Sequence, residues 1–178
     1  DILEKVLNMS YEDILESLLN NRDKYLEKKR KNGKMHYSDS PLLNNELKAV
    51  LYDGYSVKRD DLAVHHMPSA HSIGNEGIPS GEGACSCVKT CTHQNTFTNG
   101  MGSENRGEDM ALYEALSYED RLLFDLYDLM GIYEETRPYV DMDEVEMRLQ
   151  EEYRLAMEVK AKKEEQKFQA EQMEEEDC

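Results

Sequence analysis

Apolar side chains recur at helical spacing in three stretches of this chain and thin out in a long stretch between the second and third. In the first, residues 1–32, Ser10 stands where an N-cap belongs, with Asp13 three residues on, close to a capping box. Ile14, Leu15, Leu18, Leu19, Tyr25 and Leu26 then share one face of a predicted helix. Lys28, Lys29, Arg30 and Lys31 crowd its last turn, where cations suit the helix dipole, and Gly33 follows as a stop. Residues 40–54 are punctuated as a shorter helix. Ser40 caps, Pro41 fits the first helical position, Gly54 closes, and Leu42, Leu43, Leu47, Val50 and Leu51 supply the stripe.

The pattern is most complete near the carboxyl end. After a helical lead-in over 109–116, Ser117 caps, with Asp120 three residues on, and Leu122, Leu126, Leu129 and Met130 form a stripe. Gly131 is read as the stop and Pro138 keeps the turn extended. Asp141 or Asp143 restarts a helix whose apolar face runs through Met142, Val145, Leu149, Tyr153 and Ala156. Beyond Val159 the chain predicts an exposed helix with pairs such as Lys160 and Glu164, then a frayed acidic end. Between the stripes, residues 57–108 are rich in Gly, Ser, Asn and His and keep neither a period of two nor of 3.6, so 69–106 is expected to be mostly disordered.

The expected organisation is therefore an N-terminal helical segment (1–55), a Gly/Ser/Asn/Cys-rich flexible linker (56–108), a helical hairpin acting as interaction region (109–160) and a charged acidic tail (161–178). The fold class is mostly α: capped helices in a helix–turn–helix or hairpin arrangement, a long disordered central loop, and no sheet.

Composition narrows the function. With 39% apolar residues, no Trp and three Phe, the core is thin, and part of the chain is expected to order only against partner proteins. The formal charge of −17 repels phosphate backbones, so no direct nucleic-acid contact is expected. No apolar run approaches the ~18–20 residues of a membrane span, and the opening DILEKVLNMS lacks the basic lead and apolar stretch of a signal peptide. Four cysteines, three of them crowded together, fit a reducing compartment, nucleus or cytosol, better than a disulfide framework.

Candidate chemistry is sparse. Cys85, Cys87, Cys91 and His93 form C-x-C-x3-C-x-H, the one candidate zinc set, with His65, His66 and His71 upstream as replacement ligands. Four ligands within nine residues need a very tight loop, and a free-thiol cluster is the simpler expectation. A Cys/His nucleophile needs a rigid site that the Gly- and Ser-rich stretch does not offer, so no enzyme and no cofactor are expected. Paired acids such as Asp141 and Asp143 suit a helix entry.

The stretch 117–149, with Glu119, Arg121, Leu122, Leu126, Gly131, Ile132, Pro138, Asp143, Glu144, Val145 and Leu149, resembles the C-terminal helical region of the transcriptional adaptor 3 (Ada3-type) family. The resemblance implies a non-catalytic α-helical adaptor of a nuclear histone acetyltransferase coactivator complex, binding protein subunits of that complex. The partner interface would then comprise Leu122, Leu126, Leu129, Val145 and Leu149, and helical spacing adds Tyr153 to the same face. Two alternatives compete with it: a viral or phage structural component of portal or connector type, placed in the virion, and a small zinc-binding interaction module.

Overall fold

The computed structural model describes residues 1–54 and 62–176. The N-terminal stripe forms two helices, α1 (Ile2–Leu7) and α2 (Tyr11–Lys31). The Ser10 hydroxyl accepts from the Asp13 amide at 3.1 Å, and Gly33 leaves the helix at φ 65°, a left-handed angle that glycine tolerates. The carboxyl-terminal stripes form α6 (Tyr118–Thr136) and α7 (Met142–Glu176), with Ser117 capping α6 through the Asp120 amide at 3.2 Å. Gly131 does not stop α6. The helix runs through it, and a Cβ there would stand 2.8 Å from Nη2 of Arg22, so the glycine admits a close-packed guanidinium.

The chain is mostly α, but the expectation of no sheet is wrong. Three strands, β1 (Ala49–Leu51), β2 (Leu62–His66) and β3 (Ala84–Lys89), form an antiparallel sheet in the order β1-β3-β2. Register pairs Val50 with Cys85, His65 with Ser86 and His66 with Cys85. The helix predicted over 40–54 is absent. Asn44 and Asn45 open a turn, as Asn favours, and the chain then runs beside β3, with the Cys87 amide donating to the Lys48 carbonyl at 3.1 Å. Nor is the central stretch a disordered loop. It carries β3 and two short helices, α3 (Ala70–Gly74) and α4 (Thr90–Asn95), while the helical lead-in expected over 109–116 is α5 (Gly107–Glu114). The sequence ACSCVK of β3 is buried at its first five positions, so no alternation of polar and apolar residues announces the strand.

The six residues assigned to a partner interface lie within this chain. Leu122, Leu126 and Leu129 of α6 pack with Val145 and Leu149 of α7 and with Ala84 and Val88 of β3 in one core. Tyr153 is half-buried against that core, its hydroxyl donating to Glu119 at 2.9 Å. The opposite side of α6 adds Phe124 to a second core with Ile14 and Leu18 of α2, Leu112 and Tyr113 of α5, and Phe97. α6 is thus buried on both sides, and each fully buried Leu contributes about 1.5–3 kcal/mol.

Paired charges supplement this thin apolar core. Arg137 and Glu46 are both buried and paired, with the Tyr133 hydroxyl donating to the same carboxylate. Arg22 donates through Nε to Asp128 at 2.6 Å, and Asp128 also accepts the Phe97 amide at 2.9 Å. Burial pushes the Asp128 carboxyl up, against the pull of Arg22. Among the described residues, no helix is long and apolar enough to cross a membrane.

Candidate active site

β2 ends on two consecutive histidines, and β3 runs antiparallel beside it and turns directly into α4, which carries a third. This hairpin and helix place His65, His66 and His93 around one open cleft of about 430 Å³. Its other walls include Tyr52, Ser80, Thr98 and Asn99. The support is rigid. The Asn95 side chain at the end of α4 accepts the His36 amide at 3.0 Å and donates to the His36 carbonyl at 2.9 Å. The Thr96 hydroxyl donates to the His93 carbonyl at 2.7 Å.

The three rings differ in environment. His65 is 5% exposed, and its ring meets that of His93 edge-on with centroids 5.1 Å apart. Burial, with repulsion from His93 and His66, depresses the His65 pKa to about 3. His93 is half-buried and is likewise shifted down, first by burial and then by His66. Both rings are therefore neutral at physiological pH, each with one free lone pair.

His66 is half-buried, with the Tyr52 ring stacked at a tilt 4.8 Å away. Its Nε2 lies 2.9 Å from the Ser80 carbonyl oxygen and 3.4 Å from the Ser80 hydroxyl. A carbonyl only accepts, so Nε2 carries the proton and Nδ1 of the neutral ring keeps its lone pair. Gly83 makes this position reachable, because a Cβ there would stand 2.8 Å from Cδ2 of His66 and 2.6 Å from Cδ1 of Ile73.

The candidate zinc set falls apart in space. Cys85 and Cys87 are buried in β3, whereas Cys91 and His93 are half-buried in α4. None of these three cysteines is in a disulfide, and burial pushes the Cys85 thiol far up, which leaves it unreactive. Among the described residues, no group of three or more His, Cys, Asp or Glu side chains is placed to hold a metal ion. The sequence grouped His93 first with the cysteines and offered His65, His66 and His71 only as replacements, whereas the fold groups it with His65 and His66. The signal available in the sequence was the His-His doublet closing the short apolar run Leu62, Ala63, Val64.

The cleft wall also stands out by charge. The chain has 38 Asp and Glu, yet none lines the cleft among the described residues. Imidazoles, amides and hydroxyls line it instead. No family model, characterised protein or solved structure matches this chain.

Proposed function

We propose that the chain is a hydrolase in which His66 acts as general base on a water that attacks a phosphodiester held in the cleft of β2, β3 and α4. The observation that supports this reading is the convergence of three imidazoles, on a hairpin and the helix after it, in one open cleft that no carboxylate lines among the described residues. Nδ1 of His66 accepts a proton from water as the water oxygen bonds to phosphorus. The bond from phosphorus to the leaving oxygen then breaks, that oxygen takes up a proton from solvent, and His66 releases to solvent the proton it accepted. His65 and His93, neutral and half-buried or deeper, add electroneutral donors and acceptors beside the reacting phosphate. The expectation of no enzyme rested on the absence of a scaffold around the His and Cys residues, and the sheet supplies one.

The test is hydrolysis of bis(p-nitrophenyl) phosphate by the full chain. His66→Ala is expected to lower kcat by about 10²–10⁴, the usual share of a positioned acid–base group. Equal rates for the two proteins would remove the reading. Activity that survives chelation assigns the step to His66 alone. Activity lost on chelation would count against the reading, because among the described residues no group of three metal-ligating side chains is placed to hold an ion.

A second reading, the adaptor subunit, has one observation in its favour. The end of α7 is exposed and carries Phe168 and Met173, 59% and 66% exposed, so this end of the helix is free to meet a protein partner. Phe168→Asp with Met173→Asp would then abolish recovery of co-purifying proteins, and unchanged recovery would count against it.

A further inference from the structure

Residues 22–34 carry seven Lys and Arg against two acids, a formal +5 in a chain of −17. The fold gathers part of this excess into a groove of about 480 Å³ between the end of α2 and the segment before α5. Lys24, Lys28 and Lys34 line it, all three exposed and without an ion-pair partner among the described residues. At its floor the Arg106 guanidinium lies 4.2 Å from the Tyr25 ring centroid and 4.4 Å from that of Phe97. Asp109 is the one carboxylate of the wall, and it is already held by Arg106 at 3.0 Å and Asn21 at 3.0 Å. Burial and the charge of Arg106 both lower the pKa of neighbouring Lys29, as crowded cations should.

The groove adjoins the histidine cleft. The Lys29 ammonium donates to the carbonyl of Gln94, the residue after His93, and Arg106 donates to the Asn99 carbonyl at 3.2 Å. Asn99 and Gly100 line the cleft, whereas Ser103 lines the groove. Three residues of chain span at most about 11 Å, so the two sites share a rim.

We infer that Lys24, Lys28, Lys34 and Arg106 bind the phosphate backbone of a nucleic-acid strand and lead it over residues 100–103 into the histidine cleft. This rests on the hydrolase reading for what happens in the cleft, but the binding itself does not. Net charge argued against such a ligand only because it averages over the chain. Residues 141–178 alone carry fourteen acids, on the other side of the sequence from the lysines. A strand follows local potential, screened beyond about 10 Å at 0.1 M salt.

The test is fluorescence anisotropy of a labelled single-stranded oligonucleotide of about 20 residues, titrated with the full chain carrying His66→Ala throughout, so that the cleavage assigned to His66 does not interfere. Lys24→Glu/Lys28→Glu/Lys34→Glu is expected to weaken binding about tenfold or more and to flatten the salt dependence. The charge-matched control Lys162→Glu/Lys163→Glu/Lys167→Glu, on α7, is expected to leave binding unchanged. The milder Lys24→Gln/Lys28→Gln/Lys34→Gln keeps the test if charge reversal unfolds α2, and a smaller loss is expected of it. No binding by the parent chain, or equal binding by parent and groove variants, or equal losses in groove and control variants, would overturn the inference. Binding lost in the groove variants without any phosphodiesterase activity would leave the groove standing and remove the hydrolase.

Discussion

Glu152 gives the sharpest test of how α7 packs on the sheet. It sits in the middle of α7 with 0% exposure, and neither carboxyl oxygen has a hydrogen-bond partner among the described residues. Burial raises its pKa well above the ordinary 4.5, and the Ser86 hydroxyl of β3, near the carboxyl but not in hydrogen-bonding geometry, offsets this only in part. The folded protein therefore holds a proton that the unfolded chain releases above pH about 4.5. Its contribution is complete below that value and is lost as pH rises, by up to about 1.4 kcal/mol per pH unit while the buried carboxyl stays protonated. Glu152→Gln keeps the shape and removes the proton. Urea unfolding of both proteins at about pH 5 and pH 7 should then show the variant gaining up to about 3 kcal/mol on the parent over that interval. Parallel pH dependence in the two proteins would mean that Glu152 is hydrated and ionised, and that α7 does not cover β3 as described.

The other predictions concern the site and its supports. Gly83→Ala pushes His66 or Ile73 aside and should cost about tenfold to a hundredfold in kcat, read against an unchanged far-ultraviolet circular dichroism spectrum. Arg137→Met leaves the buried Glu46 carboxylate unpaired and should destabilise by about 3–5 kcal/mol in urea unfolding. A loss well under 1 kcal/mol would show that the pair is not formed.

The helix boundaries were legible wherever a side chain caps the backbone. Ser10 and Ser117 bond the amides that their spacing predicted, and Gly33 ends α2 at a left-handed angle. The stripe of Leu122, Leu126 and Leu129 correctly announced burial, but a periodic stripe cannot say what buries it. Here α7 and the sheet bury it, so residues expected to face a partner protein form the chain's own core. The sheet left no periodic trace, because β1 is three residues long and β3 is built of small side chains buried at nearly every position. The histidine cleft was hidden for the same reason. His65 and His66 lie far from His93 in sequence, and only the pairing of β2 with β3 brings them together. The basic end of α2 was visible as charge at a helix terminus, but its place beside α4 depends on contacts such as Lys29 with the Gln94 carbonyl.

The most direct measurement of the central claim is the single-turnover rate of phosphodiester cleavage in the parent chain, in His66→Ala, and in His71→Ala, whose imidazole lies 3.0 Å from Glu114 and does not line the cleft. The account predicts a rate for His66→Ala about two orders of magnitude or more below the parent, with His71→Ala indistinguishable from it. Cleavage that is absent from the parent, or that proceeds equally well without the His66 imidazole, would contradict it.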